Sequence, residues 1–190
     1  MIYDIVAYGH PALREKSKPV ARVDQGLRDL AQDMLETMRA YSGIGLAAEQ
    51  IARTESICVI DLSPADERDE FDANDNPGIP MPLVLVNPKI VASEGEEVGQ
   101  EGCLSFPDTY VDVKRAQEVT VEYLSLDNEP AQVSAKGLLA RAMQHEIDHL
   151  NGVLIVDRMS PTQKVTNAGK LKRISRSGKK GGVVPVKTQQ

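Results

Sequence analysis

Residues 137–151 (GLLARAMQHEIDHLN) constrain the fold more than any other stretch of the chain. Leu138, Ala142, His145 and His149 recur at intervals of four, three and four, so they share one face of a helix. Leu139, Met143, Ile147 and Leu150 line the adjacent face, and a helix apolar over so much of its circumference is largely buried. Asn151-Gly152 offers it a left-handed stop. Other elements must therefore wrap around a helix that carries two histidines and two carboxylates, Glu146 and Asp148. Burying those groups without a cation is costly.

His145-Glu146-Ile147-Asp148-His149 matches H-E-x-x-H. Two imidazoles one turn apart converge on one ion, and the glutamate beside the first can act as a base towards water at that ion. A third protein ligand is needed. The downstream ligands of zinc peptidases are missing: position 155 is Ile, no His follows His149, and no Asp or Glu follows Asp157. The third ligand must come from upstream, and Cys103 is the best candidate. It sits in Gly99–Pro107 (GQEGCLSFP), among glycines rather than in an apolar run. Cys58, between Ile57 and Val59, reads as a small core residue, and His10 as a surface residue. Asp148 and Glu101 are candidates to orient the ligands, with Arg115 able to pair with Asp148.

Elsewhere the pattern is that of an ordinary globular chain of 190 residues. Residues 24–41 predict an amphipathic helix with Asp24 as its N-cap, stopping at Ser42-Gly43. Ile57–Ile60, Leu83–Val86, Val119–Leu126 and Ala131–Val133 have strand character, with a turn at Asp127-Asn128. Residues 63–80, acidic and proline-rich, read as an exposed loop. Ser160-Pro161 fits the start of a further helix, with disorder expected from about Ser177. No apolar run is long enough to span a bilayer and no export signal opens the chain, so a cytoplasmic location is expected.

The net charge of −6 conceals a split: residues 158–190 hold nine Lys/Arg and no acid, so the remainder is strongly acidic. The tail is either a solvated helix with a frayed end or an arm for an acidic partner such as nucleic acid.

Gly43-Ile44-Gly45-Leu46-Ala47-Ala48-Glu49-Gln50 alone reads as a helix stop and turn. Beside Glu101–Ser105 (EGCLS) and His145–His149 (HEIDH), however, it completes a set. Together the three resemble the signatures G-φ-G-φ-A-A-x-Q, E-G-C-φ-S and H-E-x-D-H (φ apolar) of the bacterial-type peptide deformylases, in family order. These are metal hydrolases that remove the N-formyl group from nascent polypeptides. The stretches Gly9–Arg14 and His149–Arg158 extend the resemblance over about residues 1–160, a catalytic domain, and leave 161–190 as a basic C-terminal helix and tail.

The resemblance implies an α+β fold, with small, mostly antiparallel sheets wrapped around the central helix bearing HEIDH, plus an N-terminal and a C-terminal helix. It implies Cys103, His145 and His149 as metal ligands and Glu146 as the catalytic acid/base. Gln50 and the backbone N–H of Leu104 would steady the oxyanion, and Gly45 would face the peptide. Fe(II) is the implied native metal, with zinc or nickel able to take its place, and formyl-Met peptides are the implied substrate. Ile44, Leu138 and Ala142 flank these residues in sequence or helical phase and are expected to wall an apolar methionine pocket. Many members carry an Arg where this chain has Tyr110, so that contact is not expected here. The residues alone leave two rivals open: another metal amidohydrolase or peptidase, and a non-catalytic metal module closed by four protein ligands.

Overall fold

The computed structural model describes residues 1–63 and 75–186, so most of the acidic 63–80 segment lies outside the described residues. An open five-stranded antiparallel sheet organises the molecule. Its strands are β2 (Gly45–Ala47), β3 (Ile57–Ile60), β4 (Leu83–Glu94), β7 (Glu118–Leu124) and β8 (Pro130–Lys136), in that spatial order. A helix covers each face at one end. Helix α1 (Gln25–Ala40) starts where expected, with the Asp24 carboxylate accepting from the Leu27 N–H at 2.9 Å. Its Leu27, Leu30, Met34 and Met38 pack with Leu46, Ile57 and Val59. Helix α2 (Gly137–Leu150), which carries HEIDH, packs Leu139, Met143 and Ile147 against Ala47, Cys58, Ile60 and Leu85.

Strand β3 explains why Ile57–Ile60 is an unbroken apolar run: alternate side chains enter the two cores, and all four residues are fully buried. Cys58 is core filling, as its neighbours suggest. Helix α2 ends at Asn151 with Gly152 at φ +71°, the left-handed stop that the sequence offered.

A separate antiparallel hairpin, β5 (Glu97–Cys103) and β6 (Phe106–Arg115), lies apart from the main sheet. Neither strand was among the predicted elements, although Val111 and Val113 alternate with Asp112 and Lys114 at the period of a half-buried strand. The hairpin's apolar side builds a third core from Phe106, Val111 and Val113 with Leu13, Leu154 and Ile155. Leu154 precedes the short helix α3 (Ile155–Arg158).

Ser160 and Pro161 open helix α4 (Pro161–Lys179) as cap and first residue. Beyond it the expectation of disorder from Ser177 is corrected. The helix runs on to Lys179, and β9 (Val183–Val184) pairs antiparallel with β1 (Ile5–Val6) near the N-terminus. A two-residue ladder with a partner some 180 positions away leaves no local pattern to read. His10 also departs from expectation. It is half-buried, and its Nδ1 accepts from the Ala12 N–H at 3.2 Å, capping a short 3-10 turn.

Candidate metal centre

Three elements converge at one end of α2. The helix supplies His145 and His149, whose rings lie 5.0 Å apart between centroids. Hairpin β5–β6 supplies Cys103 at its turn, and the short 3-10 segment after β2 supplies Gln50. One ligand atom each from Cys103, His145 and His149 lies within 4.8 Å of the others, and the Cys103 Sγ to His149 Nε2 distance is 3.3 Å. Donors about 2.0–2.3 Å from a shared tetrahedral ion would stand roughly 3.5 Å apart, so this thiol and these imidazoles fit a divalent cation.

The back of the centre is a charged network. Glu101 takes a two-pronged pair from Arg115, Nε to Oε1 at 2.8 Å and Nη2 to Oε2 at 3.0 Å. It also accepts from Arg141 Nη1 at 3.0 Å and lies 2.9 Å from His145 Nδ1. Burial opposes a charged Glu101, but the His145 and Arg115 donors prevail and hold its pKa well below the usual carboxylate range. With Nδ1 engaged, His145 keeps Nε2 for a ligand. Arg115 bonds Asp148 as well, and Asp148 in turn accepts from Arg158 at 2.7 Å. The anticipated Arg115–Asp148 pair is therefore present as part of a larger cluster. Arg141 lacked any sequence signal, whereas Arg115 lies on the inward phase of the β6 alternation.

The front is sparsely partnered. Glu146 is buried, and its Oε2 has no hydrogen-bond partner among the described residues. Burial raises its pKa to about 7, partly offset by His145. A Cβ on Gly45 would lie 2.2 Å from Glu146 Oε1, so only glycine lets that carboxyl lie across β2. Gln50 is oriented by its own segment: Oε1 accepts from the Ala47 N–H at 2.9 Å. Nε2 is thereby turned towards Ser105 Oγ at 3.3 Å and Cys103 Sγ at 3.6 Å. The role of Ser105 had no signal beyond its place in the EGCLS run.

A cleft of about 300 Å³ opens onto this front. Cys103, His145, Glu146, Gln50 and Leu104 line it, and so do Gly45, Ile44, Leu138 and Ala142. Tyr110 stands at its exposed rim. His149 is buried behind these residues, where desolvation first, and then the neighbouring His145 and Arg115, push its pKa well below 6.5. One further group was not foreseen. Glu49 is fully buried with neither carboxylate oxygen bonded among the described residues, and burial raises its pKa to about 8, with the Glu146 charge adding to the effect.

Among the described residues no helix is long and apolar enough to cross a membrane. The family model for polypeptide deformylase matches residues 2–165. The peptide deformylase of Alkalilimnicola ehrlichii is 44% identical over 178 residues, covering 94% of this chain and 93% of that protein. The crystal structure of a peptide deformylase from Legionella pneumophila superposes with a TM-score of 0.79 at 39% identity, covering 93% of this chain and 96% of the other. That of the Thermus thermophilus enzyme gives 0.80 at 35% identity, covering 93% and 99%. With the three-residue metal centre in place and this similarity running over most of its length, the chain belongs to the peptide deformylase family and is an enzyme of that kind.

Proposed function

We propose that the cleft takes the formylated end of a nascent peptide, methionine side chain first, and that Glu146 shuttles the proton while the formyl amide is hydrolysed. The observation carrying this reading is the position of the Glu146 carboxyl: buried, unpartnered at Oε2, and beside the Cys103–His145–His149 centre on the cleft. When bound by these three side chains, a divalent cation would supply Lewis acidity and bring the pKa of water down to about 7. Glu146 takes the proton of the attacking water on its carboxylate and returns it to the departing amine nitrogen. Burial alone lifts the Glu146 carboxyl to about 7, and the positive charge of a bound cation would lower it again, so the acid limb of activity should fall below that value.

Gln50 Nε2 and the Leu104 N–H meet the negative charge growing on the formyl oxygen. The Ala47 N–H fixes the Gln50 amide beforehand, so it need not reorganise during the reaction. Ile44, Leu138 and Ala142 give the methionine side chain an apolar wall, and Gly45 keeps β2 low enough for Glu146 to reach across it. Fe(II) is the native metal in this reading, as the family resemblance implies; the thiolate donor makes the site softer than a His-His-carboxylate one, which suits iron and zinc alike.

The test is formate release from a formyl-Met peptide by the wild type and Glu146→Gln, with elemental analysis of protein prepared without air. The variant should keep its iron and lose about 10²–10⁴-fold in kcat. Equal rates would remove Glu146 from proton transfer, and zinc in place of iron would overturn the metal assignment. The basic residues of α4 and the tail would hold the enzyme near ribosomal RNA. Co-sedimentation with ribosomes should then weaken steeply with salt, and salt-independent association would reject that role.

A further inference from the structure

The thiol and the imidazoles of the centre stand on different hydrophobic cores. Helix α2 buries Leu139, Met143 and Ile147 against the main sheet, whereas the β5–β6 hairpin buries Phe106, Val111 and Val113 with Leu13, Leu154 and Ile155. Cys103 packs with the second group and shares no apolar core with the helix that carries His145 and His149. Apolar packing is non-directional, so it holds each piece together without fixing the gap between them. Polar contacts have to set that gap.

Two α2 side chains grip the main chain of the hairpin, at different levels. At its base, just past β6, Gln144 Oε1 accepts from the Ala116 N–H at 2.9 Å, and Nε2 donates to the Ala116 carbonyl at 3.0 Å. Arg141, one turn before His145, reaches further towards the turn that bears Cys103. Its Nη1 donates to the Val113 carbonyl of β6 at 2.9 Å and to Glu101 Oε1 at 3.0 Å, with the Gly99 carbonyl at 3.4 Å. Its Nη2 donates to the Glu97 carbonyl of β5 at 3.2 Å. One planar head thus holds main chain on both strands, a task for five donors in a rigid fork rather than for a lysine ammonium. Gly99 makes room for it: a Cβ there would lie 2.8 Å from Arg141 Cζ.

We propose that Arg141 is a positioning residue that latches the Cys103 hairpin to the histidine helix and so sets the reach of the thiol to the metal. The inference needs the three-ligand centre and not the reading of how the cleft treats a substrate. Without the guanidinium, Gln144 still holds the hairpin at its base, and Glu101 still meets His145, but through a side chain that can turn. The strands are then free to tilt about Ala116, and a small rotation at the base is a larger displacement of Cys103 at the far end. Coordination distances are narrow, so a sulfur that drifts by a fraction of an ångström makes a longer and weaker bond to the ion.

The test loads the full chain with cobalt(II), whose bond to a thiolate absorbs in the near ultraviolet, and compares the wild type with Arg141→Ala and Gly99→Ala. The second variant keeps the arginine and the net charge, while its new methyl group pushes the guanidinium out of place. Both should weaken the thiolate band. Both should also raise the metal dissociation constant about 10–100-fold in competition with a chelator, the scale on which losing an outer partner acts. Free guanidinium ion should restore the band in Arg141→Ala. A merely structural role would lower the urea midpoint of unfolding and leave band and affinity as in the wild type, which overturns the proposal. Weaker affinity with a full-strength thiolate band overturns it too, since Arg141 would then act through Glu101 and His145. An unchanged band in Gly99→Ala overturns it even if Arg141→Ala fails to fold. Absence of the band from the wild type would instead overturn the three-ligand centre itself.

Discussion

His145 and His149 sit one turn apart on the same helix and reach the same thiol, yet their surroundings are opposite. His145 backs onto the β5–β6 hairpin, where Glu101, Arg115 and Arg141 satisfy one another and fix the ring through Nδ1. His149 is buried with its Nδ1 unbonded among the described residues, and Glu49, on the 3-10 segment that packs against α2, is buried and unbonded too. One imidazole is aimed by hydrogen bonds, the other by packing. A ring tied to a carboxylate has a set tautomer and greater basicity, so it is ready for a cation before one arrives. A ring whose Nδ1 finds no such partner is held in place by its burial but not tuned from behind.

The sharpest way to break this contrast is Glu101→Gln. It removes the charge that receives two guanidinium groups and His145, and opening a buried charge network of this kind costs about 3–5 kcal/mol. Metal affinity should fall about 10–100-fold, measured by competition with a chelator. Unchanged affinity would mean that packing orients His145 as it does His149, and the contrast would be lost.

A smaller effect, of opposite sign, is expected on the other side. The Glu49 carboxyl keeps its proton up to about pH 8 in the folded chain, whereas an exposed glutamate loses it near 4.5. Between those values the folded state holds the extra proton, so stability declines as pH rises through the window. Glu49→Gln abolishes that decline. It should stabilise the protein by a few kcal/mol at pH 8 and hardly at all at pH 4.5, read from urea unfolding at the two values. Identical pH dependence in variant and wild type would show that Glu49 is ionised and partnered in the folded protein.

Much of the centre was legible because it is local. The spacing of His145 and His149 puts them on one face of any helix, and the surrounding leucines bury that face whatever packs on it. The α1 cap at Asp24, the α4 start at Ser160-Pro161 and the both-faces-buried β3 are likewise short-range patterns. The hairpin was harder. Gly99, Gln100, Glu101 and Gly102 have low strand propensity, and what makes them a strand is their pairing with Val113, Asp112, Val111 and Tyr110. The tail misled for a related reason: its Gly/Ser/Lys composition argues for disorder, while β9 is held by a strand at the other end of the chain.

Periodicity was thus enough to specify the helix and its two imidazoles, which depend on residues close together in the chain, and the order of three separate short motifs added the thiol and the family. Which carboxylate tunes which ring, that Glu146 lies across a bare glycine, and that Val184 and Pro185 line the cleft were decided only when distant segments closed on one another. Burial and hydrogen bonding act between neighbours in space, and the chain's order does not reveal those neighbours until the fold has brought them together.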